Sequence, residues 1–181
     1  RALAGEEGIV LHDEVVDAPT GTAGIFVDAA GRNSIVVGPG ANAALTASFV
    51  AGQAEAIAAA AVVLAQMESP AEAITEALRL GRAHGATTVL NPAPANVIAP
   101  SGLLALADIA TPNETEFASL VAAHLGAPLS GDAVATMADA SLHALCRDLL
   151  PGGTVVVTLG AAGCFVSHGA ALRGDDLPHY R

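Results

Sequence analysis

Apolar residues in this chain fall into short runs that alternate with longer periodic segments. Val62 to Gln66 is a continuous apolar run, as expected of a parallel strand buried on both faces. Thr87 to Leu90 and Asp108 to Ala110 are similar short runs, and Thr154 to Thr158 is β-branched throughout. Between them, apolar residues recur every three or four positions, which is typical of helices. The pattern therefore predicts βα units.

Local signals predict where several helices begin and end. Ser69 as N-cap, Pro70 at the first helical position and Glu72 two positions later predict a helix that ends near Gly85. A second periodic stretch predicts one helix from Asp132 to Leu149. These helices connect the predicted strands in the order βαβαβαβ. That order indicates a Rossmann-like α/β fold with a three-layer parallel sheet and helices on both of its faces.

The N-terminal part has a different pattern. Gly8 to Val16 alternates loosely and predicts a strand. Ala23 to Asp28 and Ser34 to Val37 predict a hairpin around Ala29 to Asn33, where Gly and Asn can adopt positive φ. The chain therefore begins with a small antiparallel sheet. At the other end, Gly169 to Arg181 lacks a period and is predicted to be irregular.

Composition narrows the classes of partner. The 181 residues are 52% hydrophobic and carry a formal net charge of -11, which argues against binding nucleic acid or an anionic membrane. No signal peptide is evident, and the apolar run from Ala56 to Ala65 is too short to span a bilayer. Cys146 and Cys164 form neither a C-x-x-C pair nor a zinc spacing and are expected to be small buried residues in a reducing compartment. We expect a cytoplasmic protein.

Polar residues follow several of the predicted strands directly. Because the carboxyl ends of parallel strands meet at one edge of a sheet, these residues are expected to form a site there. Each also has a purely structural explanation, such as a capping box at Asn113 and Glu116 or a glycine hairpin at Gly160. The positions are Glu68, Asn91, Asn113, Glu116, Thr158 and Gly160.

The residue types suggest particular ligands. Glu68 could accept hydrogen bonds from a polyhydroxylated ligand, although helix-dipole stabilisation alone would explain a carboxylate there. Asn113 and Glu116 could hold Mg²⁺ through water together with phosphate oxygens. Thr158 and Gly160 could let a nucleotide approach the backbone closely. The six histidines are scattered and indicate no metal site, and a P-loop motif is absent.

Six short motifs together resemble the ribokinase family of carbohydrate and nucleoside kinases. They occur in the family's order and spacing between about Gly8 and Ser167. The motifs are Thr20-Gly21-Thr22-Ala23, Gly40-Ala41-Asn42-Ala43, Gln66-Met67-Glu68-Ser69-Pro70, Asn91-Pro92-Ala93-Pro94-Ala95, Thr111-Pro112-Asn113-Glu114-Thr115-Glu116 and Thr158-Leu159-Gly160-Ala161-Ala162-Gly163.

The resemblance implies a kinase core at residues 44–181 and, at residues 1–43, most of a β-sheet lid that covers the sugar and forms a homodimer contact. It also implies that Glu68 contacts the sugar, that Asn113 and Glu116 are associated with Mg²⁺ and phosphate, and that Asn113, Thr158 and Gly160 bind the nucleotide. The implied reaction is transfer of a phosphoryl group from ATP to an alcohol group, converting D-ribose to D-ribose 5-phosphate in ribose catabolism. K⁺ is the implied monovalent cation.

The chain also departs from the family pattern. The family's Gly-Gly-rich sugar motif has no counterpart before Gly8, and its Gly-Ala-Gly-Asp motif does not occur before Arg181. We therefore expect an internal fragment with no catalytic residue of its own and no activity alone, the base, the anion hole and most of the K⁺ site lying elsewhere. The alternatives are a fructokinase-like or nucleoside kinase of this family, or a noncatalytic module that binds sugar or nucleotide.

Overall fold

The computed structural model describes residues 2–169 and 178–181. The chain forms two compact units, Arg1–Leu45 and Thr46–Arg181. The first contains helix α1 (Ala2–Glu6), strands β1 (Thr22–Val27) and β2 (Asn33–Gly38), and a 3₁₀ turn at Gly40–Ala44.

The predicted hairpin is confirmed. Strands β1 and β2 pair antiparallel with Ile25 opposite Ile35. In the turn, Asp28 Oδ1 accepts hydrogen bonds from the backbone N–H groups of Ala30 and Arg32, each at 2.9 Å, and Gly31 has φ +78°. The backbone N–H and then the guanidinium of Arg32 lower the pKa of Asp28. Asp28 therefore organises the turn through its carboxylate.

The strand predicted at Gly8 to Val16 is wrong. The structure describes every residue of this segment, and none of them is in a helix or a strand. Val10 and Val15 are each 78% exposed. A strand is stable only when its backbone pairs with a neighbour, and β1 and β2 pair with each other. Loose alternation of apolar residues was therefore not enough to make this segment a strand.

The second unit is a six-stranded mixed sheet with helices. The strands follow one another across the sheet in chain order, β3 to β6 parallel and β7 and β8 antiparallel. The strands are β3 (Val62–Gln66), β4 (Thr87–Asn91), β5 (Ile109–Ala110), β6 (Thr154–Thr158), β7 (Cys164–Ser167) and β8 (His179–Tyr180). The helices are α2 (Ala47–Gly52), α3 (Ala54–Ala58), α4 (Ala71–Ala83), α5 (Ser101–Leu104), α6 (Glu114–Leu125), α7 (Gly131–Ala135) and α8 (Asp139–Leu149).

These elements confirm the predicted fold class, an α/β sheet with helices and a small antiparallel sheet near the N-terminus. Strand β8 shows that the tail predicted to be irregular contains at least two ordered residues. Residues 170–177 of that tail lie outside the described residues. Among the helices that the structure describes, none has the length and the apolar character to cross a membrane.

The core lies between the sheet and its packed helices. Phe117 of α6, Leu78 of α4 and Val155 of β6 are completely buried. Helix α4 approaches β3 very closely at Gly81, where an added Cβ atom would lie 2.8 Å from Val63 Cγ2. A side chain there would force the helix and the strand apart, so glycine permits this contact.

Strand β3 differs from its predicted environment. We expected it to be buried on both faces, but Val62 is 55% exposed and Leu64 is 68% exposed. The reason is the packing of helix α4, which lies against the face that carries Val63, while β3 is also the first strand of the sheet and, among the described residues, is hydrogen-bonded to β4 alone. Its alternate residues Val63 and Ala65 pack against the core. Strand β3 is therefore half-buried, with one apolar face open.

Two helix boundaries also differ from the predictions. Helix α4 begins at Ala71 with Pro70 as its N-cap residue, and no side-chain hydrogen bond caps it, so Ser69 does not have the predicted capping role. The helix predicted from Asp132 to Leu149 is divided into α7 and α8. Ala138 between them is extended, with φ -62° and ψ +138°. Apolar residues at helical spacing therefore continue through a break in the backbone.

Candidate active site

The candidate site lies at the carboxyl edge of the parallel strands. Glu68 follows β3, Asn113 follows β5, and Thr158 ends β6. Because β3 to β6 run in the same direction and are adjacent, their ends share one edge of the sheet. Neighbouring strands are about 4.8 Å apart, so the ends of β3 and β6 are separated by about 14 Å. The edge thus brings together residues that are 90 positions apart in the sequence.

The ends of β5 and β6 are joined directly. The backbone N–H of Thr158 donates to the carbonyl of Pro112 at 2.9 Å, and Asn113 forms an isolated parallel bridge with Thr158. Gly160 has φ +53°, and a Cβ atom added to it would lie 3.9 Å from Glu114 Oε1. The start of α6 and the loop after β6 therefore form one continuous polar surface.

Asn113 and Glu116 form the predicted capping box. Asn113 Oδ1 accepts the backbone N–H of Glu116, and Glu116 Oε2 accepts the backbone N–H of Asn113, each at 2.8 Å. Glu116 is only 7% exposed. The capping box by itself therefore accounts for this pair of residues, because it fixes both side chains at the first turn of α6. It also engages only one oxygen of the Glu116 carboxylate.

The oxygen atoms at the first turn of α6 suit Mg²⁺ only if the ion keeps several of its waters. Among the described residues, no group of three or more His, Cys, Asp or Glu side chains could hold a metal ion. Mg²⁺ commonly keeps several waters and binds through one or two carboxylates plus substrate phosphates. The second oxygen of Glu116, with Glu114 on the same turn, fits such a water-mediated site.

Glu68 lies in an exposed turn whose backbone is held by side chains. Its N–H donates to Gln66 Oε1 at 2.8 Å, while Gln66 Nε2 donates to the Ala93 carbonyl at 3.0 Å. Asn91 Oδ1 accepts the N–H of Ala93 at 3.0 Å, so the side chain of Asn91 orders its own loop. That loop contains a cis peptide bond between Ala93 and Pro94. Gln66 was not among the predicted site residues, although it lies at the end of an apolar run.

The two cysteines have different surroundings. Cys146 is buried, and this burial raises the pKa of its thiol to about 12, which makes it unreactive. Cys164 is exposed, contrary to the expectation that both thiols are buried. It pairs with Thr158 at the turn end of the β6–β7 hairpin, next to the loop that joins the two strands.

The fold and the polar strand ends define a class of protein, the α/β proteins that bind ligands at the carboxyl edge of a parallel sheet. A comparison with family models is more specific, because the model for pfkB family carbohydrate kinases matches residues 2–179. The chain belongs to the pfkB family of carbohydrate kinases.

Individual relatives agree with this assignment. The chain is 37% identical over 164 residues to a ribokinase of Haemophilus influenzae, covering 90% of this chain and 50% of the relative. It resembles the structure of a ribokinase from Giardia lamblia with a TM-score of 0.78 and 27% identity, covering 95% of this chain and 52% of that one. A ribokinase of Arabidopsis thaliana, solved with ribose and ATP, gives 0.69 and 26%, with coverages of 87% and 47%. The chain spans about half the length of these relatives.

Proposed function

We propose that this chain is the central part of an ATP-dependent sugar kinase that converts D-ribose to D-ribose 5-phosphate. One observation carries the proposal: polar residues after β3, β5 and β6 occupy one edge of the sheet, with Glu68 and Thr158 on its first and fourth strands. A separation of about 14 Å between these strand ends leaves room for a sugar beside a nucleoside triphosphate. The ribokinase of Arabidopsis thaliana, which was solved with ribose and ATP, supports this choice of ligands.

Each site residue has a role in this proposal. The exposed carboxylate of Glu68 accepts hydrogen bonds from sugar hydroxyl groups. Asn113, Thr158 and Gly160 contact the nucleotide along the surface that the end of β6 shares with the start of α6. Asn113 and Glu116 would hold Mg²⁺ through water, Glu116 with the oxygen that the capping box leaves unused. When bound, Mg²⁺ neutralises charge on the phosphates, while the protein mainly positions the two substrates.

The first unit supports a role as a lid. Both faces of the β1–β2 hairpin carry large apolar residues, and Ile25 and Phe26 are 62% and 65% exposed. Exposed apolar surface of this kind is typical of an interaction site. We propose that residues 1–43 supply most of a lid that covers the sugar and pairs with a second copy, and that residues 44–181 supply part of the kinase core. We place the enzyme in the cytoplasm, with K⁺ as its monovalent cation.

The catalytic base belongs, in this proposal, to a segment of the full-length kinase outside these 181 residues. The chain by itself is then expected to transfer no phosphoryl group, because no group is assigned to take the proton from the sugar hydroxyl. ADP release by the purified chain in the presence of ribose and MgATP would contradict this point.

The reaction itself is tested on the full-length protein. A coupled ADP-release assay with MgATP should show turnover with D-ribose in preference to other pentoses, hexoses and nucleosides. Preference for fructose or a nucleoside would assign a different substrate within the family. Binding of ribose without turnover would indicate a noncatalytic module, and turnover with none of these compounds would overturn the proposal.

The role of Glu68 is tested by Glu68→Gln in the same protein. Loss of the charged acceptor should raise the KM for ribose about tenfold, with a much smaller change in the KM for ATP. The matched control is Glu72→Gln, which removes a nearby exposed carboxylate in the first turn of α4. Equal effects of Glu68→Gln on both KM values would show that Glu68 does not contact the sugar.

A further inference from the structure

The side chain of Gln66 joins the loops that follow two neighbouring strands. Gln66 is the last residue of β3, and its Oε1 accepts the backbone N–H of Glu68 at 2.8 Å. Its Nε2 donates to the carbonyl of Ala93, 27 positions away in the loop after β4, at 3.0 Å. One amide group therefore links the Glu68 turn to the next loop along the edge of the sheet.

Ala93 is held from both sides. Its carbonyl also accepts the backbone N–H of Met67 at 3.1 Å, and its N–H donates to Asn91 Oδ1 at 3.0 Å. Gln66 and Asn91 are register partners on adjacent strands. The side chains that end β3 and β4 thus bind the same residue, and together they fix the turn that contains Glu68.

This arrangement requires an amide. The group at position 66 must accept a hydrogen bond from the N–H of Glu68 and donate one to the carbonyl of Ala93, and these opposite partners define which way the amide is oriented. A glutamate side chain has the same length but two acceptor oxygens, so one would face the Ala93 carbonyl and repel it. An asparagine is one methylene shorter and does not span both partners.

We infer that Gln66 is a positioning residue for the sugar site, which holds the backbone of Glu68 so that its carboxylate meets the sugar. The inference rests on the proposed function, in which Glu68 contacts the sugar. Thr158 lies at the end of β6, three strands from β3. The effect of Gln66 should therefore fall on the sugar and not on the nucleotide.

The kinetic test compares Gln66→Glu with Gln53→Glu in the full-length kinase. Gln53 lies between α2 and α3 and belongs to no strand, so its substitution adds the same charge outside the strands of the sheet. Gln66→Glu should raise the KM for ribose about tenfold and change the KM for ATP by less than about twofold, while Gln53→Glu changes neither. A fall in kcat with both KM values raised together would indicate a merely structural role and would overturn the inference.

A double-mutant cycle separates positioning from general damage. In a Glu68→Gln background, the carboxylate to be positioned is already absent, so adding Gln66→Glu should change the KM for ribose by less than about twofold. Independent, multiplying effects of the two substitutions would overturn the inference. Gln66→Asn, which is neutral, repeats the cycle if the glutamate variant does not fold.

Amide hydrogen exchange tests the same link without any kinase activity. In the Gln66→Asn variant, whose shorter side chain does not span both partners, exchange at the Glu68 N–H should become about tenfold faster, while exchange in β6 stays unchanged. If the wild-type protein phosphorylates no sugar, the proposed function fails, yet the exchange measurement still decides about Gln66. An unchanged exchange rate at Glu68 would overturn the role assigned to Gln66.

Discussion

The β1–β2 hairpin and strand β6 have similar β-branched, apolar sequences and opposite surroundings. Every residue of β1 and β2 is exposed, including Phe26 at 65%. In β6, Val155 and Val157 are completely buried. Strand β6 has neighbours on both sides and helix α6 packed against it, whereas β1, within the part of the chain that the structure describes, pairs only with β2. Apolar β-branched sequence therefore specifies a strand, and neighbouring elements decide whether it is buried.

The largest test of this difference removes the same side chain from each region. Phe117→Ala empties a fully buried site in α6 and should lower the free energy of unfolding by about 3–5 kcal/mol. Phe26→Ala truncates an exposed side chain in the hairpin and should change it by less than about 0.5 kcal/mol. Urea unfolding of the full-length protein, at concentrations too low for it to self-associate, measures both.

The same pair of variants also tests the lid proposal. Phe26→Ala should weaken self-association in sedimentation experiments, since it removes apolar surface from the proposed dimer contact. Phe117→Ala should leave the self-association of the folded fraction unchanged. If Phe26→Ala lowered the free energy of unfolding as much as Phe117→Ala does, Phe26 would have to be buried in the full-length protein.

A smaller effect is expected when a methyl group is added. Gly81→Ala would place a Cβ atom 2.8 Å from Val63 Cγ2 and should destabilise the protein by about 1–3 kcal/mol. Gly24→Ala in β1 would place its Cβ atom 3.6 Å from Phe26 Cε2, which is ordinary contact. That variant should be neutral or more stable by up to about 1 kcal/mol. A larger loss at Gly24 than at Gly81, measured by urea unfolding, would contradict the contrast in packing.

The smallest expected effect concerns pH. Burial, then the charges of His179 and Arg147, lower the pKa of His143 from its ordinary value of 6.5, so the folded state favours the neutral ring. The unfolded state takes up a proton more readily, so this contribution is complete above about pH 6.5 and is lost as the pH falls through the folded pKa. His143 Nδ1 lies 2.8 Å from Ser167 Oγ, which places the effect at β7.

The hairpin should behave differently over the same range. Hydrogen bonds lower the pKa of Asp28 below 3.8, so its carboxylate stays charged and the turn keeps its contacts down to that pH. Amide protection factors measured at about pH 8 and about pH 5 should therefore fall in β7 and stay constant in the hairpin. The variant His143→Gln should remove the change in β7, and a fall in both regions would contradict this assignment.

Local chemistry explains what the sequence predicted well. The capping box of Asn113 and Glu116 depends on residues three positions apart. The hairpin likewise depends on a short turn with Gly31 at positive φ. Such features are determined by neighbours in the chain, so sequence patterns identify them.

Features that depend on distant neighbours were not predicted. Exposure of Leu64 in β3 and of Cys164 in β7 depends on which strands and helices lie beside them. The site followed the same division, because the topology rule places Glu68 and Thr158 at one edge, whereas the link from Gln66 to Ala93 joins two separate loops. A sequence pattern does not show how close two such loops lie in the folded protein.

The exposed face and edge of strand β3 have a consequence for the behaviour of this polypeptide when it is purified alone. Among the described residues, β3 is hydrogen-bonded to a neighbouring strand along one edge only, and the side chains of Val62 and Leu64 are exposed to water. Such an edge recruits strands from other molecules. Concentrated solutions should aggregate on storage, with rising turbidity and binding of amyloid dyes. The substitution Leu64→Lys should slow this aggregation.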